Sequence, residues 1–151
     1  MRYWLMKSEP AEFSIDDFAA LPSQTIAWEG VRNYQSRNFM HHQMNIGDQA
    51  FFYHSCCKNP GITGVAIISK PAYPDATQFN IQSRYFDPKA TENNPRWFNV
   101  EITLVKRTRL IPIKELRQYP DLHRMRVLQT GNRLSITPVD PAEWQFIMSI
   151  L

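Results

Sequence analysis

Only two of the 151 residues are cysteine and only five are glycine. No window approaches the roughly 18 unbroken apolar residues of a membrane-crossing helix. The cysteines, Cys56 and Cys57, are adjacent, and sequence neighbours rarely meet the geometry of an ordinary structural disulfide. Reduced thiols in a cytoplasmic protein are therefore the expectation, without a disulfide framework. The opening Met1-Arg2-Tyr3-Trp4-Leu5-Met6-Lys7 is interrupted by charge too soon for a secretory signal. With so few and such scattered glycines there is no P-loop and no dinucleotide fingerprint, and a Gly-x-Ser-x-Gly elbow is also missing. Metal spacing is lacking as well. Cys56-Cys57 has no two-residue spacer, and His41 and His42 on a helix would point about 100° apart. Neither a metal nor a cofactor is expected. Repeats, low-complexity tracts and Gly/Ser linkers are absent, which favours one domain over residues 1–151.

What is present is apolar and aromatic: 43% hydrophobic and 13% aromatic residues, enough for a core without staples. Eleven prolines cut the chain into short elements. Strands are expected at Tyr3–Met6, Ala50–His54, Ile62–Ile68, Phe79–Tyr85 and Leu134–Ile136, bounded by turn residues. A further strand over Trp97–Lys106 puts Phe98, Val100, Ile102 and Leu104 on one face. Ser14 caps a short helix through Asp17, with Ile15, Phe18 and Ala19 turned inward. Val31–Met44 suits a loop leading into a surface helix, and Ile113–Leu128 one or two helices broken at Pro120. Asp140, Pro141 and Glu143 open a terminal helix whose stripe of Trp144, Ile147, Met148 and Leu151 is core packing. Strands and helices do not alternate regularly, so the pattern predicts an α+β mixed barrel of five or six strands flanked by short helices. Closure would remove exposed sheet edges.

The formal charge is +3, a common solubility margin that does not name a partner. Tyr53-His54-Ser55-Cys56 brings a base, a hydroxyl and a thiol together, but on a strand His54 and Ser55 face opposite sides. A base–nucleophile pair is thereby disfavoured. The stronger signal is Trp28-Glu29-Gly30-Val31-Arg32-Asn33-Tyr34-Gln35-Ser36-Arg37-Asn38, where aromatics, arginines and asparagines surround a glycine. Aromatic faces stack bases, and Asn and Arg offer directed hydrogen bonds to base edges or phosphate. Two readings stay open on these residues alone: a base-binding surface, or a surface helix with Trp28 and Tyr34 packed into the core.

The run Tyr3-Trp4-Leu5-Met6-Lys7-Ser8-Glu9-Pro10 resembles the opening signature of the EVE domain family. The likeness continues through Trp28–Gln35, Gly47-Asp48, Phe52–Ser55, Tyr73-Pro74-Asp75, Pro95-Arg96-Trp97, Arg133–Pro138 and Glu143-Trp144, in the family's order and over essentially the whole chain. The resemblance implies a PUA-like mixed β-barrel, related to YTH and SRA-type readers, with a pocket for one flipped, modified base. Modified DNA, altered at cytosine, is the implied partner; RNA is the alternative, and no membrane is involved. Carried onto matching positions, Lys7 and Ser8 sit at the pocket after the first strand, with Trp28 as an aromatic wall. Arg32, Asn33 and Tyr34 form a loop closing over it. Tyr53, His54 and Ser55 come from a barrel strand, and Arg133, Leu134 and Ser135 from the last one. Lys7, Arg32 and Arg133 would neutralise an adjoining phosphate. His54 has two roles open, touching the ligand or tying down the wall. Trp4, Trp97 and Trp144 are expected in the core. Ser36 departs from the family, where alanine is frequent, and the Cys56-Cys57 pair has no implied role. The alternative within the same fold is an enzyme or RNA-binding module acting on nucleotides or RNA, with His54, Ser55, Lys7 or Glu29 as acid–base groups. The oligomeric state is not legible.

Overall fold

A computed structural model describes all 151 residues. Six strands form one mixed sheet: β1 (Tyr3–Ser8), β2 (Thr25–Ala27), β3 (Gln49–His54), β4 (Gly61–Pro74), β5 (Phe98–Pro112) and β6 (Ile136–Val139), in the spatial order β2-β5-β4-β3-β1-β6. β1 runs parallel to β3, pairing Lys7 with Tyr53 and Ser8 with His54; the other pairs are antiparallel. The helices are α1 (Ile15–Ala20), α2 (Tyr34–Asn38), α3 (Ile113–Leu116) and α4 (Pro141–Ser149). A single π-helical turn, Phe39–Gln43, continues α2.

The middle of the sheet is buried on both faces, where β1, β3 and the start of β4 are near-continuous apolar runs, while the later parts of β4 and β5 reach solvent. Strand alternation sends Trp4, Met6, Ala50, Phe52, Ala66, Ile68, Val100 and Ile102 into one core, together with Phe18 of α1 and Phe39 and Met40 of the π turn. The intervening Leu5, Phe51, Tyr53, Ile62 and Ile111 fill a second core under Trp144 and Ile147 of α4. Each fully buried large side chain contributes about 1.5–3 kcal/mol, so two such faces hold the sheet without covalent help. Trp4, Trp97 and Trp144 are all buried. Buried Asp48 ties the first core's edge by accepting from the Trp4 indole N–H at 3.1 Å and the Asn45 amide at 3.0 Å.

Three expectations are corrected. The sheet does not close: β2 and β6 are its edges, three and four residues long, and shortness rather than closure protects them. No strand runs from Phe79 to Tyr85; Ala76–Phe79 is a 3₁₀ turn capped by Asp75 and further turns follow, with Ile81 exposed. The last strand begins at Ile136, so Leu134 and Ser135 precede it. The Ser14–Asp17 capping box of α1 forms as the spacing predicts, with bonds of 3.1 and 2.9 Å.

Candidate functional site

At the C-terminal end of β1 an open cleft of about 640 Å³ is cut into the face that carries the first core. Its floor comes from the end of β1 (Lys7, Ser8) and Glu9 just beyond it, and one side from Ile26–Asn33, the end of β2 and the loop after it. Ser55 and Cys56 after β3, Arg133 and Ser135 before β6, and Phe13, Glu12 and Tyr85 complete the lining. Backbone bonds hold these segments together. The Lys7 amide donates to Ser135 O at 2.8 Å, Ser55 N to Ser8 O at 2.9 Å, and Trp28 N to Val100 O at 2.8 Å. Trp28 sets its ring edge-on against buried Phe52, 5.9 Å between centroids, and stays only partly buried. The indole is therefore braced by the core while lining the opening.

The loop between β2 and α2 owes its shape to a buried carboxylate. Asp75, fully buried, accepts from Gly30 N at 2.8 Å, from Thr77 N at 2.8 Å and from the Arg32 guanidinium at 3.2 Å. Gly30 has φ of +84°, and a Cβ there would stand 2.6 Å from the Tyr85 ring. Only glycine allows both that turn and that approach. Arg32 donates its remaining N–H groups to Val31 O, Thr77 Oγ1 and, twice, Tyr85 O, while its guanidinium stacks over Tyr85. All five of its donors are spent inside the chain. The expectation that Arg32 neutralises a phosphate is thus corrected: it builds the cleft wall.

Charge in the cleft is balanced. Arg32 is matched by Asp75, and Glu12 by Arg84 at 2.6 Å. Lys7 and exposed Arg133 make no ion pair within the chain and share the cleft lining with Glu9 and Glu29. Burial pushes the Lys7 ammonium below its ordinary value, with Cys56 partly opposing the shift. Burial, then the neighbouring Asp75 carboxylate, pushes Glu29 up. Cys56 is raised too, chiefly by its hydrogen bond with Glu9. Ser8 donates its hydroxyl to Phe13 O at 2.6 Å, so toward a ligand it serves as an acceptor. A set of donors and acceptors with little net charge suits a neutral polar heterocycle better than a phosphate. No three His, Cys, Asp or Glu side chains converge closely enough to hold a metal ion.

Of the residues singled out from sequence, Lys7, Ser8, Trp28, Arg32, Asn33, Ser55, Arg133 and Ser135 line this cleft, and Tyr34, Tyr53, His54 and Leu134 do not. Tyr53 alternates to the opposite sheet face and is buried in the second core. His54 accepts the Ile15 amide proton on Nε2 at 3.0 Å, so it ties down α1 rather than facing the cleft. Leu134 packs against the first core. Asn33 caps α2 by accepting from Ser36 N at 3.0 Å, and Tyr34, the first residue of that helix, lies on Trp97 instead of over the opening. Sequence reasoning missed Tyr85, Glu9, Phe13 and Cys56 as lining residues. Tyr85 arrives from a loop more than fifty residues beyond Trp28, and only the tight glycine at position 30 hinted that something presses there.

A model of the EVE domain matches residues 2–150. Human thymocyte nuclear protein 1 is 45% identical over 165 residues, covering 98% of this chain and 73% of that protein. The crystal structure of human THYN1 protein in complex with 5-methylcytosine-containing DNA is similar at a TM-score of 0.93 and 45% identity, over 99% of this chain and 97% of that one. A crystal structure from Pseudomonas syringae matches at 0.92 and 44%, over 98% of both chains. With likeness in sequence and fold running from one end of the chain to the other, it belongs to the EVE domain family.

Proposed function

We propose that this protein reads modified DNA by taking one flipped cytosine, substituted at C5, into the cleft beside Trp28 and releasing it unchanged. The observation that carries the reading is the human relative solved with 5-methylcytosine-containing DNA, alike in fold over 99% of this chain. The energetics of the cleft are consistent with it. Extruding a base costs a few kcal/mol, and one aromatic stack returns about 1–3 kcal/mol. Hydrogen bonds must supply the rest, and a buried polar group left unpaired costs roughly 1–3 kcal/mol. The unpaired Lys7 ammonium is a donor for the O2 and N3 acceptors of cytosine, while Glu9 and Glu29 accept from its amino group. Phe13, Ile26 and Ala27 offer apolar contact to a C5 substituent. His54 already holds the Ile15 amide and does not line the cleft, so it is not the base for Ser55, which accords with binding without turnover. Such a reader works where DNA is kept, in a reducing cytoplasm that leaves Cys56 and Cys57 as free thiols.

Titration of a short duplex bearing one 5-methylcytosine against its unmodified twin tests the reading. Burying one methyl is worth about 0.8 kcal/mol, so the modified duplex should bind about four-fold tighter. Trp28→Ala should weaken binding by roughly 5- to 100-fold, with a thermal unfolding transition still cooperative. Equal affinity of wild type and Trp28→Ala for the modified duplex would overturn the proposal. The RNA counterpart, titrated alongside, should bind more weakly than the DNA.

A further inference from the structure

Beside the cleft, on the far side of Arg32, stands a second aromatic surface that the base site does not use. Tyr34 is 48% exposed and is the one aromatic ring among the exposed large hydrophobic side chains. One of its faces rests on buried Trp97, 4.9 Å between centroids and 24° between planes. Three guanidinium groups pack against this pair: Arg37 lies 4.7 Å and Arg96 5.9 Å over the Tyr34 ring, and Arg32 lies 5.2 Å over Trp97. Arg96 also donates to the Tyr34 hydroxyl and pairs with Asp87 at 3.3 Å. The Arg37 guanidinium is fixed by Asn38 Oδ1 and Arg96 O. The result is a ring held in one orientation by Trp97 and the guanidinium groups, with about half of its surface still open to solvent.

We infer that Tyr34 is a second nucleotide-binding surface, on which the base next to the flipped one stacks. The inference rests on the reading of the cleft as a base site. Extruding one base leaves its neighbour with an unstacked face, and a protein ring within reach restores part of that stacking. Tyr34 is placed for this. Asn33, its immediate predecessor, lines the cleft, and the Arg32 guanidinium touches both Tyr85 in the cleft wall and Trp97 beneath Tyr34. Arg32 and Arg96 are paired with Asp75 and Asp87, whereas Arg37, bonded only to neutral oxygens, leaves positive charge for the phosphate between the two nucleotides. A protein partner would find little here to bury: one ring, flanked by charges already engaged within the chain.

The experiment compares a single nucleoside with a strand. 5-Methyl-2′-deoxycytidine occupies the cleft alone, whereas a duplex with one 5-methylcytosine engages both surfaces. Tyr34→Leu keeps an apolar cover on Trp97 but removes the aromatic face; Tyr34→Phe keeps the face and loses only the hydroxyl bonded to Arg96. Tyr34→Leu should weaken duplex binding by roughly 5- to 100-fold while nucleoside affinity stays within two-fold. Tyr34→Phe should bind the duplex within about three-fold of wild type, the share of one exposed hydrogen bond. Unchanged duplex affinity in Tyr34→Leu overturns the inference. An equal fall for nucleoside and duplex also overturns it, because Tyr34 would then act through the cleft. Trp28→Ala reports on the cleft separately, so failure of either surface is recognised on its own.

Discussion

Ser36 shows how a single residue departs from its surroundings. It is fully buried in α2, and its hydroxyl oxygen has no hydrogen-bond partner. A buried hydroxyl without a partner costs about 1–3 kcal/mol, and serine is also a poorer helix former than alanine. Ser36→Ala should therefore stabilise the fold by about 1–2 kcal/mol. For a chain of this size that raises Tm by roughly 2–6 °C in a calorimetric scan. An unchanged or lower Tm would mean that the hydroxyl finds a partner in solution. Lys7 carries the opposite kind of cost, because its ammonium is half-buried and unpaired at the floor of the cleft. A charge left in that state is the sort of strain that binding relieves and folding does not.

At the scale of elements, α1 is joined to the end of β3 by one bond, from the Ile15 amide to His54 Nε2. The bond needs a neutral imidazole with a free lone pair, and burial holds the His54 pKa below its ordinary value, with Asp16 partly opposing. Because the folded value is the lower one, the unfolded chain takes up the proton first. The stabilisation is complete above the unfolded value, near 6.5, and is lost as pH falls from there through the depressed folded value. Unfolding free energies between pH 8 and 5 should show this slope in wild type. His54→Gln, which keeps an acceptor but does not titrate, should lessen it and leave the part due to His41, whose imidazole burial and then His42 and Arg37 also hold below the ordinary value. An unchanged slope would assign the titration to another group. The same element shows what sequence makes legible. β3 and the start of β4 were readable because strands buried on both faces are continuous apolar runs. β2 was not, since three residues at an edge carry no period, and Phe79–Tyr85 misled because Phe79 and Ile81 alternate with polar residues while the backbone turns. Strand parity does separate Tyr53 from the cleft, as Phe52 and Tyr53 must face different cores. The family motif grouped them because they are neighbours in sequence. His54, with both roles open, resolves to the tether because its side chain meets the start of α1, a contact 39 residues away in sequence.

Across the whole molecule, the expected closed barrel gives way to an open sheet with a core on each face, and the cleft opens on only one of them. That geometry limits how much nucleic acid backbone the protein covers. The excess of basic over acidic groups is three, and six cations, including Arg107 and Arg109, are held in ion pairs with Asp16, Glu115 and others. Of the cleft's own cations, Arg32 is fully committed within the chain and Lys7 is given to the base in the proposed reading, which leaves Arg133 for the backbone, with Arg37 beside Tyr34. On the proposed reading, recognition rests on stacking and on hydrogen bonds inside a charge-balanced cleft, with few counterions released. Each phosphate neutralised on B-DNA contributes about −0.9 to the slope of log affinity against log salt. Two to four contacts give a slope of roughly −2 to −4. Titrations of the 5-methylcytosine duplex from about 50 to 200 mM salt should then lose roughly 10- to 300-fold in affinity. A slope near −8 would require twice as many phosphate contacts as a single cleft and its neighbouring ring can reach, and would relocate the main binding surface to the basic C-terminal third. Trp28→Ala should lower the whole line without changing its slope, because the indole contributes stacking and no charge.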